Sequence, residues 1–247
     1  ESCVIFTNKH FVVISHEIYT CFNITLQFKV ILNVFLDHIR HVVPTVRRDY
    51  PEWHHGREQY ALWYIEIQNP DLILYLSQVK AFFSEYLLLP NTRQFHITLF
   101  ICGFLTTDQA NFNDDFTQAQ FQQQYQRLKS HHPQKIKLQI GGLNSFSSAL
   151  YLEVIDTDLA LEHIRTQCAQ FSDEVAALSY CPHITVGLYK AAFPSQSILD
   201  KIASFPARQF EIDVSQIKFG FYQAQELQGP LHALHSISLG DVCCNSY

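Results

Sequence analysis

The 247-residue chain has no run of about 18 uninterrupted apolar residues, so no membrane span is expected. Nor does it have an excess of positive charge: 17 Lys and Arg stand against 23 Asp and Glu, a net charge of −6. Broad coating of nucleic acid needs a cationic surface that releases counterions and is not expected, although a local basic patch in a cleft stays open. The seven Cys include no Cys-x-x-Cys pair and no zinc spacing, so buried thiols in a reducing cytoplasm are the expectation, with Cys243 and Cys244 in an exposed polar tail. There is no glycine-rich phosphate loop, nucleophile elbow or kinase signature. The first residues lack the basic flank and small-residue cleavage site of a secretory leader. What remains is a globular composition, 47% hydrophobic with a mean hydropathy of −0.02, and enough chain to bury a sizeable core.

What the chain does contain is a repeat. Phe95, His96, Ile97, Thr98 and Leu99 return 87 positions later as Pro182, His183, Ile184, Thr185 and Val186. Each copy alternates apolar residues with His and Thr, as a half-buried strand does. This phase sets His96, Thr98 and Phe100 on one face and Ile97, Leu99 and Ile101 on the core face; His183, Thr185 and Gly187 fall opposite Ile184, Val186 and Leu188. A lone His-x-Thr carries little weight, since about 0.6 are expected by chance from this composition. The same offset, however, lays Tyr64, Ile65, Glu66 and Ile67 on Tyr151, Leu152, Glu153 and Val154, and the stretch from Asp71 on the stretch from Asp158. Each half therefore reads strand, helix, strand, closing on His and Thr. Two units are too few for a solenoid and imply a duplicated two-lobed domain.

The rest of the chain is placed around these units. Residues 1–59 form an N-terminal extension expected to pack on the main domain, with strands near 12–14 and 24–28 and a helix over 30–43 before Pro44. Within it His38 and His41 lie one helical turn apart, but no carboxylate or Cys completes a metal set. Asn69 and Pro70 start a helix that runs to about residue 86, with Leu72, Leu76, Val79 and Phe83 as its core stripe. A Gln-rich helix over 114–130 carries Phe121, Tyr125 and Leu128 inward and Gln toward solvent. Strands are expected over 135–140 and 150–154, a helix over 158–171, and a helix capped by Ser195 and stopped by Pro206. Three closing strands and a tail over 241–247 complete the chain.

Two His and two Thr facing one cleft make a recognisable chemical set. Imidazole is both neutral and protonated near pH 6–7, so a facing pair supplies a base and an acid to one displacement. The two Thr hydroxyls can hold the non-bridging oxygens of a phosphate, and charge developing on phosphorus is stabilised by the surrounding donors. Tyr64 and Tyr151, at matching positions, are candidates to stack a base, and packing at the core edge is the alternative. Glu66 and Glu153 either orient the neighbouring side chains or are simply solvated. Arg93 and Lys190 flank the motifs as candidate phosphate-attracting cations.

Paired His-x-Thr motifs after strand–helix units, with the segments 136–154 and 221–239, resemble the 2H phosphoesterase superfamily, in its 2′-5′ RNA ligase-like and cyclic phosphodiesterase branch. The resemblance covers residues 60–240. It implies an α+β, bilobal fold with two antiparallel sheets flanking a central cleft and helices on the outer faces. It implies no cofactor and no metal, an RNA or nucleotide substrate carrying a phosphodiester, and catalytic roles for His96, Thr98, His183 and Thr185. The expected activity is metal-independent opening of 2′,3′-cyclic phosphates or action on 2′-5′ linkages; a nucleotide- or RNA-binding module without turnover is the alternative. Which His is acid and which is base, and the oligomeric state, stay open.

Overall fold

The computed structural model describes residues 3–7, 10–14, 36, 39–107, 109–131, 134–175 and 179–240. The expected strand at 24–28, the candidate ligand His38, and Cys243 and Cys244 lie outside them. Strands β1 (Cys3–Thr7) and β2 (His10–Ile14) pair with each other as a separate antiparallel hairpin. Every other described strand belongs to one nine-stranded sheet.

That sheet has a symmetrical order. One half contains β3 (Gln59–Glu66), β4 (His96–Thr106), β10 (Gln216–Gln223) and β11 (His232–Ser238). The other contains β6 (Ile136–Ser145), β7 (Ala149–Ile155), β8 (His183–Leu188) and β9 (Phe210–Val214). The spatial order is β11-β10-β3-β4-β8-β7-β6-β9, with short β5 (Asp115–Thr117) parallel to β4. The α+β class is as expected, but the two sheets are one. They join at β4 and β8 through the antiparallel pair Ile97 and Ile184, so the motif strands are neighbours rather than opposing walls.

The 87-residue repeat appears as identical register. Glu66 pairs with His96, Ile65 with Ile97 and Tyr64 with Thr98, as Glu153 does with His183, Leu152 with Ile184 and Tyr151 with Thr185. In both copies the register then slips by one: Trp63 pairs with Phe100 and Leu150 with Gly187. One extra residue, Leu99 in the first copy and Val186 in the second, makes a β-bulge directly after each Thr and reverses the facing of the residues beyond it. This corrects the strict alternation expected for β4. Phe100 joins Ile97 and Leu99 in the helix-covered core, whereas Ile101 packs with Leu62 and Tyr64 on the opposite face.

Five helices are described: α1 (Pro51–His54), α2 (Pro70–Phe82), α3 (Gln118–Ser130), α4 (Ala160–Cys168) and α5 (Ser195–Ser204). Asn69 caps α2 by accepting from Leu72 N at 3.0 Å, and Thr117 and Gln120 form a reciprocal capping box on α3. Ser195 does not cap α5; Pro194 holds that position, and the Ser195 hydroxyl is buried inside the first turn. Gln124, placed with the solvent face in the sequence, is fully buried and accepts from Trp63 Nε1 at 2.8 Å while donating to Cys168 O at 3.0 Å. The helices are exchanged between copies: α2 of the first packs on β8, and α4 of the second packs on β4.

The N-terminal segment takes a course the sequence does not show. Its helical reading fails at the end, since residues 39–47 are not helical and His41 bridges to Pro194. Val42 N donates to Phe193 O, Val43 N to Ser147 O and Thr45 N to Tyr189 O, all in the second half. The chain then delivers Tyr50 and Trp53 to a second apolar cluster with Tyr60, Leu62, Tyr64, Phe104 and Tyr222 in the first half.

Gly103 permits β4 to receive β5. Its φ is +111°, and an added Cβ would lie 2.2 Å from Asp114 O, the acceptor for Phe104 N at 2.7 Å. Gly103→Ala is expected to cost about 2 kcal/mol or more. Urea unfolding monitored by circular dichroism checks this, as a lowered midpoint at unchanged slope.

Candidate functional site

Ile97 and Ile184 are both fully buried, which fixes the facing of the residues on either side of them. His96 and Thr98, and His183 and Thr185, therefore emerge on the opposite face at the seam of the two halves. The antiparallel sense directs His96 toward Thr185 and His183 toward Thr98. The structure thus gathers the four residues singled out by the repeat at one pseudo-twofold point. His96 keeps 9% of its surface exposed, and His183, Thr98 and Thr185 are half-buried.

Both imidazoles are held in the same way. His96 Nδ1 lies 2.8 Å from Gln94 O, and His183 Nδ1 lies 2.7 Å from Cys181 O, the carbonyl two residues upstream in each case. A carbonyl oxygen only accepts, so each Nδ1 carries a proton and each neutral ring keeps its lone pair on Nε2. Edge contacts from the matching tyrosines fix the ring planes: Tyr64 to His96 at 6.0 Å and 85°, Tyr151 to His183 at 5.5 Å and 68°.

Burial sets the protonation of the pair. Desolvation lowers His96 to about 4, against the partial support of the Gln94 carbonyl, and the charges of Arg93 and His183 push the same way. His183 is lowered too, by burial, with its carbonyl opposing. Tyr64 and Tyr151 lie beneath the histidines rather than on an open wall. Both are fully buried, and Phe146 stacks on Tyr151 at 4.0 Å and 18°, so neither offers a free ring face to a base. Burial raises both phenols, Tyr64 to about 12.

The flanking groups break the symmetry. Glu66 binds Lys218 Nζ at 2.7 Å, whereas Glu153 accepts from Asn144 Nδ2 at 2.8 Å, so neither carboxylate is merely solvated. Arg93 lies 3.9 Å over the Tyr222 ring and donates Nε to Gly229 O at 2.9 Å, close enough to His96 to act on its charge. Lys190 is exposed beyond the end of β8. Phe146, half-buried and edge-on to His183 at 4.9 Å, is an addition from the β6–β7 turn with no counterpart in the repeat. Among the described residues no three His, Cys, Asp or Glu gather as a metal set.

A duplicated, curled antiparallel sheet with paired His-x-Thr strands at its seam defines a class of α+β phosphoesterase-like folds. The family model of the 2′-5′ RNA ligase superfamily matches residues 77–219, more than half of the chain, and the protein belongs to that superfamily, the 2H phosphoesterases. The fold is similar to Escherichia coli LigT in its apo form, at 14% identity and a TM-score of 0.55, covering 75% of this chain and 100% of that one. It is likewise similar to E. coli LigT complexed with 3′-AMP, at 12% identity and a TM-score of 0.50 over 75% and 100% of the two chains. A further solved phosphoesterase matches at 12% identity and a TM-score of 0.52, over 74% and 99%. No curated protein matches the chain at the level of sequence.

The lowered His96 has a consequence for stability. Between its usual 6.5 and about 4 the unfolded chain binds a proton at this position and the folded chain does not, so stability falls as pH falls through that window. Relative to His96→Gln, the parent is expected to lose on the order of 2–3 kcal/mol between pH 7.5 and pH 4.5. Denaturant titrations at half-unit pH steps check this; parallel curves for the two proteins would show that His96 is not desolvated.

Proposed function

We propose that the protein is a metal-independent phosphodiesterase of RNA or nucleotides that opens 2′,3′-cyclic phosphates or acts on 2′-5′ linkages. The observation that carries this reading is the pair of imidazoles, each with Nδ1 committed to a backbone carbonyl and Nε2 free, on one face at the seam of the sheet. In hydrolysis of a cyclic phosphate, a water oxygen bonds to phosphorus and its proton passes to the Nε2 lone pair of one His. The P–O bond to the ribose breaks on the far side, and the Nε2–H of the other, protonated His gives its proton to the leaving oxygen. Thr98 and Thr185 donate to the non-bridging oxygens, and Arg93 adds positive potential on the His96 side. The superfamily match and the LigT-like fold support a phosphoesterase, and the 3′-AMP held by the LigT structure is a nucleotide of the kind proposed. In this reading Tyr64 and Tyr151 support the imidazoles from below, and the reaction takes place in the cytoplasm.

A second reading has a specific observation behind it. Burial leaves both histidines neutral near pH 7, which is the state of a binder with no acid. An arriving phosphate anion reverses this by raising the pKa of the nearer ring, and that is what separates an enzyme from a binding module.

The discriminating measurement is turnover of a 2′,3′-cyclic nucleotide in EDTA. Loss of about 10²–10⁴-fold in kcat is expected for both His96→Ala and His183→Ala. The kcat/KM profile should be bell-shaped, because one ring must be neutral and the other protonated, with its optimum on the acid side of the usual imidazole value of 6.5. The kcat profile should lie at higher pH, since bound phosphate favours the protonated ring. Nucleotide binding without turnover at any pH would establish the binding module instead.

A further inference from the structure

Each bulge comes directly after a Thr, and a bulge leaves backbone groups outside the ladder that some other partner must satisfy. At the first bulge the partners are side chains from the second copy. Tyr180 Oη donates to Thr98 O at 2.9 Å, Arg165 Nη1 donates to Leu99 O at 2.7 Å, and Ile101 N donates to Glu174 Oε1 at 3.1 Å. These three are themselves one unit. Arg165 and Glu174 form a two-pronged ion pair at 2.6 and 3.0 Å with only 12% of each side chain exposed, and the Arg165 guanidinium lies 3.8 Å over the Tyr180 ring. The main chain adds Val175 N to Ile101 O at 3.1 Å.

The second bulge keeps the same main-chain bond, Leu88 N to Leu188 O at 2.8 Å, but its side-chain hold is much lighter. Asn91 Nδ2 reaches Val186 O at 3.4 Å, and no charged side chain bonds there among the described residues. A buried ion pair costs desolvation that apolar residues of the same shape avoid, so stability alone does not account for one at the first bulge. Its contacts span the four residues 98–101, where the chain must turn to leave Thr98 beside the histidines and send Phe100 into the core.

We propose that Arg165, Glu174 and Tyr180 are positioning residues that set the Thr98 hydroxyl for a phosphate at the seam, so that the second copy builds the phosphate ligand of the first. This rests on the reading of the seam as a phosphoryl site. The device acts through the backbone: the three side chains grip the carbonyls and the amide on either side of the bulge, and the χ1 choices of Thr98 depend on the φ and ψ so imposed. It also makes the two threonines unequal, because among the described residues no charged or phenolic side chain grips the backbone at Thr185 in this way.

The test is a double-variant cycle with inorganic phosphate as the probe, read by titration, alongside turnover of a 2′,3′-cyclic nucleotide. Tyr180→Phe removes one hydrogen bond and keeps the ring under Arg165; about fivefold weaker phosphate binding is expected. Thr98→Val should weaken binding at least as much, and adding Tyr180→Phe to Thr98→Val should then change nothing further, because the two act through one hydroxyl. Arg165→Lys, which keeps the charge but loses the fork, should behave as Tyr180→Phe does and should speed hydrogen exchange at the Leu99 and Ile101 amides in particular. Losses that multiply in the double variant, or a Tyr180→Phe protein that melts earlier with unchanged phosphate affinity and turnover, would overturn the proposal. A parent that binds phosphate with this coupling but never turns over the cyclic nucleotide removes the hydrolase reading and leaves the positioning role standing. Absence of phosphate binding in the folded parent removes both.

Discussion

The backbone pairing of Ile97 with Ile184 is the joint on which the site depends. It ties the two halves of the nine-stranded sheet together and sits at the centre of their symmetry. Because both isoleucines are fully buried, their His and Thr neighbours are driven to the other face at the same point. A slip of one residue in either strand would send that strand's imidazole into the core, at the cost of burying it and exposing an isoleucine. The apolar core thus enforces the register, and the register brings the polar groups together.

Around that joint each copy depends on the other. The helix of the first half backs the motif strand of the second, and the helix of the second backs the motif strand of the first. The segment 42–58 adds a third tie, bonded to the second half at Phe193, Ser147 and Tyr189 and packed on the first through Tyr50 and Trp53. The backbone frame is therefore nearly twofold while its charges are not. Arg93 and the Glu66–Lys218 pair lie on the His96 side, and a neutral Asn144 bond to Glu153 lies on the other. A symmetrical frame carrying unequal charge suits a displacement in which one side takes a proton and the other gives one.

Much of this was legible in the chain. The two His-x-Thr strands, their common phase up to Thr98 and Thr185, the paired upstream strands and the Asn69 cap all come from local pattern and a constant offset. The bulges were not, because β4 is buried on both faces after Thr98, and a continuous apolar run carries no alternation from which a slip can be seen. The same limit concealed the inward turn of Gln124, whose partners Trp63 and Cys168 lie 61 and 44 residues away. Ser195 resembles a cap by residue type alone, and the chain entering from Pro194 gives that position to its neighbour. Tyr64 and Tyr151 were matched correctly as a pair, yet only packing shows that Phe146 and the second cluster close over them.

By itself the sequence determined which four side chains would leave the core on the same face of their strands, because strand alternation and a repeated motif are local properties that survive any arrangement of the remaining elements. Tertiary structure decided that the motif strands are neighbours in one sheet, that both imidazoles are desolvated with Nε2 free, and that Arg165, Glu174 and Tyr180 reach across to the first bulge. Those outcomes depend on which distant groups fill the space around each strand. Sequence spacing carries no record of that, since the partners are chosen by packing and hydrogen-bond satisfaction over separations of tens of residues.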